Sequence, residues 1–209
     1  MALNNIHIEA LGNLLATYHS DLYYIAEFQN HKFNSIGDPD YTDKKPGSFK
    51  SFLNEFRVAR NIKKDETKTL LNSTRFWIQN NDSVMVDDFA AFLTTQNMTH
   101  GKVMTSLASK ILFLNDPWRI LPMDGLTRNA LSVQDNNYKL FKEQLEIFRS
   151  RNVEKINESL ISVEQHLSII ENDFSGILDK IEMIRENRFV DKLLWTKGRS
   201  LKNGFSYNS

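Results

Sequence analysis

The sequence predicts an all-α protein: a single multi-helix domain over residues 1–200 with long C-terminal helices. Three observations carry this. Apolar residues return every three or four positions through nearly the whole chain, the spacing that gathers side chains on one face of a helix. Clusters of Asn, Asp, Ser, Gly and Pro punctuate these runs at short intervals, as turns between antiparallel helices do. No stretch shows the period-two alternation that a half-buried strand requires.

In chain order, Asn4 or Asn5 opens the first helix. Ile8, Leu11, Leu14, Leu15, Leu22 and Ile25 carry it to about Phe28, and Tyr18, Tyr23 and Tyr24 thicken the stripe. His7 and His19 have no partner at metal-ligand spacing and read as surface or capping residues. Periodicity is lost over 29–47, where Gly37, Asp38-Pro39-Asp40 and Pro46-Gly47 make the one long loop. Ser48 then caps a helix with Phe49, Phe52, Leu53 and Phe56 inward and Lys50, Arg57 and Arg60 outward. Asp65 starts a helix reaching Ile78 with Leu70, Leu71 and Trp77 inside. Ser83 starts another through Phe89, Phe92 and Leu93.

Thr99 is placed to cap a helix whose inner face is Val103, Leu107, the stem of Lys110, Ile111 and Leu114. Asn115-Asp116-Pro117 stops it, and the two prolines hold Trp118 to Pro122 extended, because each biases its preceding residue away from the α region. Asp124 follows, and a second helix begins with Leu126, Ala130 and Leu131 inward. Asp124 has two readings. It is an N-cap whose carboxylate accepts from the amides of Leu126 or Thr127, or it is a carboxylate held charged at a cleft, able to stabilise a sugar cation or orient a water.

Asn136 to Arg149 forms a helix with Leu140, Phe141, Leu145 and Phe148. From Val153 through Ile156, Leu160, Val163, Leu167, Ile170, Phe174, Ile177 and Ile181 to Ile184, apolar residues alternate steps of three and four, a heptad-like segment over 153–185. It forms either one coiled-coil seam, which would make a homodimer interface, or two successive helices separated at Asn172, Asp173, Ser175 and Gly176. A last helix from Arg188 to Trp195 ends at Gly198, and 201–209 is a disordered tail.

Composition bounds the chemistry. The 209 residues, 41% hydrophobic and 25% charged, suit one good-sized core. The chain has no cysteine, which excludes disulfides, thiolate metal sites and cysteine nucleophiles. The scattered histidines supply no ligand set, so neither a metal nor a cofactor is expected. No apolar run is long enough for a membrane span, and the start of the chain lacks signal-peptide character, so a soluble, intracellular protein is expected. Lys plus Arg balance Asp plus Glu at 26 each. The distribution is uneven: Lys44 to Lys64 holds seven bases against Glu55 alone, and Arg185 to Lys202 holds six against Glu186 and Asp191. Either stretch is a solvated helix face or a phosphate-facing surface.

Ala108-Ser109-Lys110-Ile111-Leu112-Phe113, then Leu121-Pro122-Met123-Asp124, then Arg128 and Leu131, resemble the helix-to-Asp segment of the helix-hairpin-helix DNA glycosylases. The likeness is closer to the bacterial families with an 8-oxoguanine-glycosylase-like fold, whose closing helix is similar to Arg188 to Gly198. The resemblance implies a DNA partner and a monofunctional base-excision N-glycosylase with Asp124 catalytic, or a non-catalytic relative. It implies Lys102, Lys110, Arg128, Lys50, Arg57 and Arg60 against DNA, and Trp118 bordering a base pocket. Two departures bear on chemistry. The position of the nucleophilic lysine of bifunctional members is Thr105, and the glycine-rich hairpin is reduced to Gly101 beside Lys102. The alternative is a non-catalytic helical interaction protein that pairs through the 153–184 apolar seam.

Overall fold

Three helix starts follow directly from residue type. The Ser48 hydroxyl accepts from the Ser51 amide at 3.1 Å, the Asn137 side chain accepts from Leu140 N at 2.9 Å, and Asn4 Oδ1 accepts from His7 N at 3.1 Å. The computed structural model describes residues 3–33 and 39–204, and all regular structure among them is helical. The fold divides into two compact units, at a boundary that no composition shift in the sequence marks. One, the insert unit, is Leu22–Pro122; the other, the terminal unit, combines the residues up to Asp21 with those from Met123 onward. Helix α1 (Asn5–His31) contributes to both.

The insert unit holds the second part of α1, a single turn α2 (Pro39–Thr42), α3 (Phe49–Glu55), a 3-10 turn Ala59–Asn61, α4 (Thr67–Asn80), α5 (Val86–Thr95) and α6 (Thr105–Asn115). The long loop expected over 29–47 is therefore shorter, because α1 runs on to His31 and Pro39 opens a helical turn. Gly37 and Asp38 lie outside the described residues. The core is aromatic: Tyr24, Phe28, Phe49 and Phe52 are buried, with Phe52 against Phe56 at 4.4 Å and Tyr24 against Phe52 at 5.8 Å. The free carbonyls at the end of α6 are satisfied from far along the chain, where Gln29 Nε2 donates to Leu114 O at 2.7 Å and Asn115 O at 3.0 Å.

Several expected helix starts shift. Asp65 sits at φ +65° and α4 begins two residues later. Ser83 is buried, accepts from Asn115 Nδ2 at 2.7 Å, and precedes α5 instead of capping it. Thr99 does not cap α6. Its hydroxyl donates to Lys102 O at 2.6 Å within a turn where His100 and Gly101 both have positive φ, so helix cannot begin until Thr105, and Val103 is left exposed. Helices α5 and α6, joined by this turn, lie against one another.

The terminal unit packs the first part of α1 with α7 (Gly125–Ala130), α8 (Tyr138–Ser162), α9 (Glu164–Asn172) and α10 (Ile181–Lys202). The heptad-like run is not one helix. Val163 ends α8 and starts α9, and the chain breaks again after Asn172, with Gly176 and Lys180 at positive φ. The cap and breaker residues at 172–176 thus act as such. Of the seam, Ile156, Leu167, Phe174 and Ile184 are buried within the unit while Val153 and Ile177 are exposed. The last helix is longer at both ends than expected, and Gly198 lies inside it. A Cβ there would come within 2.0 Å of Leu126 O, so glycine serves close approach of α10 to α7 and not helix termination. Residues 201 and 202 are still helical, and 205–209 lie outside the described residues.

Candidate functional site

The corner before Asp124 is built by turn and proline. Arg119 N and Ile120 N donate to Asp116 O at 3.1 and 2.9 Å, so the segment turns at 117–119 and only the residues from Ile120 onward lie outside turn and helix, a shorter run than the extended Trp118–Pro122 expected from the sequence. Ile120, Leu121 and Met123 are buried and anchor the strap. Asp124 then takes extended backbone angles and completes a capping box. Its Oδ1 accepts from Leu126 N and Thr127 N, both at 2.9 Å, and its own N–H donates to Thr127 Oγ1 at 2.9 Å. The capping reading is therefore realised, but with one oxygen only. The residue is half-buried, and Oδ2 makes no hydrogen bond or ion pair among the described residues. Helix α10 fixes α7 from behind through the Gly198 approach and a 3.4 Å bond from Asn129 Nδ2 to Gly198 O.

Beside this carboxylate lies a buried charge cluster. Arg188, 1% exposed, donates through Nε and Nη2 to Asp21 Oδ2 at 2.9 and 2.7 Å and through Nη1 to Asp191 Oδ2 at 3.0 Å. Lys192 Nζ stands 3.7 Å from the same Asp21 oxygen. Burial pushes the Asp191 carboxyl above its ordinary value; Arg188 and Lys192 oppose this, and the charges of Asp124 and Asp21 add to it. Burial likewise pushes the Lys192 ammonium down, and Arg188 adds to the fall. The guanidinium stays charged despite its desolvation because Asp21 and Asp191 hold it up.

The other expected residues fall into two groups. Lys110 Nζ donates to Phe56 O at 3.0 Å, closing the end of α3, and Arg128 Nη1 donates to Gln134 O at 2.7 Å. Both cations donate to main-chain carbonyls. Trp118 is half-buried in the turn after α6. By contrast Lys50, Arg57 and Arg60 on the insert unit are exposed, as is Lys102 in the α5–α6 turn, and none is in an ion pair among the described residues. The C-terminal basic stretch is largely consumed internally. Arg185 is bidentate to Glu171, Arg199 pairs with Glu9 and lies over Trp195 at 4.9 Å, and Lys197 sits over Phe148 at 5.3 Å. Of the histidines, His7 is buried rather than on the surface, and the exposed His19 faces Asp173 at 3.5 Å.

Asp21 is the neighbouring carboxylate that sequence reasoning missed. The signal was a carboxylate inside the buried stripe of α1, between Tyr18 and Leu22, matched by Arg188, Asp191 and Lys192 at helical spacing on an otherwise apolar segment of α10. No protein-family model, no curated protein and no solved structure matches the chain.

Proposed function

We propose that the chain binds DNA and hydrolyses an N-glycosidic bond, in a helix-hairpin-helix glycosylase-like arrangement with Asp124 as the catalytic carboxylate. The observation that carries this is the division of labour within one side chain. Oδ1 is immobilised by two amides, while Oδ2 is left without a partner among the described residues, on a half-buried group at the end of a proline corner. A negative charge so held stabilises an oxocarbenium-like sugar and orients a water for attack on it. The α5–α6 pair, with Gly101 and Lys102 in its turn, supports the reading as the counterpart of the helical hairpin, and the exposed Lys50, Arg57, Arg60 and Lys102 supply charge for phosphate. Thr105, fully buried at the start of α6, has no amine, so the reaction is monofunctional and leaves an abasic site.

The test is release of free base from duplexes that each carry one damaged or deaminated base, with strand scission scored before and after alkali. Release without scission until alkali is added is the expected result. Asp124→Asn is the informative variant, because Asn caps a helix as well as Asp does. It should keep the fold and lose about a hundredfold in rate, the scale of removing one preorganised electrostatic group. Base release unchanged in Asp124→Asn, or none from any duplex, would overturn the proposal.

A further inference from the structure

The insert unit carries a broad groove of about 710 Å³ between α4 and α5, open to solvent. Its apolar wall is aromatic. Phe76 is 59% exposed, its ring 6.3 Å from that of Phe92 and inclined by 23°, and Phe92 in turn rests on Trp77 at 5.2 Å. An aromatic series therefore runs from the buried core to a ring whose face is left to water. Around that face stand Asp65, Lys68, Asn72 and Gln96. None of these four makes a side-chain hydrogen bond or ion pair among the described residues.

Such a site suits a flat ring with a polar edge. The Phe76 face offers stacking, Asn72 and Gln96 each present a donor and an acceptor, and Asp65 accepts from an exocyclic amino group. Charge selects the source of that ring. The chain reaches the groove directly from the basic run, in which Lys44, Lys45, Lys50, Arg57, Arg60 and Lys64 are exposed with no anionic partner among the described residues. Lys68 continues the same sign into the groove itself. We propose that the α4–α5 groove binds a nucleobase of single-stranded nucleic acid, stacked on Phe76 with its phosphate toward Lys68. Bases bearing an amino group are preferred over thymine because Asp65 can only accept. This site lies in a different unit from Asp124; it shares the exposed cations of 44–64 with the glycosylase reading, while its base contacts do not depend on that reading.

The experiment is fluorescence anisotropy of the full chain with a labelled single-stranded oligodeoxycytidylate of about twelve nucleotides at low salt. Phe76→Ala, at an exposed position that the fold does not need, should weaken binding about tenfold, as the loss of one stacked base does, and Phe76→Tyr should restore it. Lys68→Ala should lower the slope of log affinity against log salt by about 0.7, the value for one phosphate of a single strand. Oligodeoxythymidylate should bind more weakly, duplex binding should not respond to Phe76→Ala, and cytidine monophosphate should fail to displace the probe. Asp124→Asn should bind like the wild type, so that loss of base release and loss of this binding are read separately. The proposal is overturned if Phe76→Ala binds like the wild type, if Phe76→Ala weakens binding of the duplex as much as of the single strand, or if the mononucleotide displaces the probe as effectively as unlabelled oligonucleotide.

Discussion

Arg188 is the largest side chain in the fully buried set, and its guanidinium is satisfied by two carboxylates from different helices. Removing one partner of such a group leaves a buried charge uncompensated, which is costlier than the pair is valuable. Asp191 is the partner under tension, since burial and the nearby Asp124 raise its pKa while Arg188 opposes the rise. A carboxyl whose folded pKa is raised holds its proton more tightly in the folded state than in the unfolded one. The stability it contributes is fully present below its ordinary 3.8 and is lost as pH rises through the folded value. Urea unfolding of wild type and Asp191→Asn across acidic pH should therefore show the difference moving in favour of the wild type as pH falls through that window. A difference independent of pH would mean that Asp191 does not titrate in the fold.

At the scale of elements, α7 and α10 depend on each other through the Gly198 backbone. Gly198→Ala drives a methyl group against the Leu126 carbonyl, and a rigid main chain has little room to yield. Loss of roughly 1–3 kcal/mol in a denaturant titration is expected, the usual cost of overpacking. Wild-type stability in that variant would show that the two helices can separate freely. The same glycine explains what the sequence did and did not reveal. Most inner faces were legible because the three-and-four spacing of Leu107, Ile111 and Leu114, or of Leu11, Leu14 and Tyr18, reports burial whatever the partner. Helix ends were not, because tertiary contacts override local signals: Gly198 is kept for a neighbour's carbonyl, Thr99 for a turn, and Ser83 for Asn115. Asp124 could be found from the proline corner and the following amides. Asp21 was marked only as a carboxylate in an apolar stripe, and its role was hidden because its partner Arg188 is 167 residues away.

For the molecule as a whole, a formal net charge of zero conceals two kinds of cation. Those of 185–202 are largely spent on Glu171, Asp21, Asp191 and Glu9, whereas those of 44–64, apart from the half-buried Lys63, are exposed. Any phosphate affinity should therefore map to the second set. Replacing Lys50, Arg57 and Arg60 together with alanine should reduce the salt slope of duplex DNA binding by about 2–3, since each phosphate no longer neutralised lowers it by about 0.9. The same substitutions at Arg185 and Arg199 should leave the slope as it is. Equal effects from both sets would refute this assignment.

The chain order of the two units has a consequence for biosynthesis. Residues 22–122 emerge as one unbroken run, complete before any of α7 to α10 exists. The opening turns of α1 emerge before them yet acquire their partners after them, with Asp21 waiting for a guanidinium made 167 residues later. Throughout that interval Leu11, Leu14 and Tyr18 are a sticky ribbon on a nascent chain, a foothold for chaperones and the place where premature release would begin to aggregate.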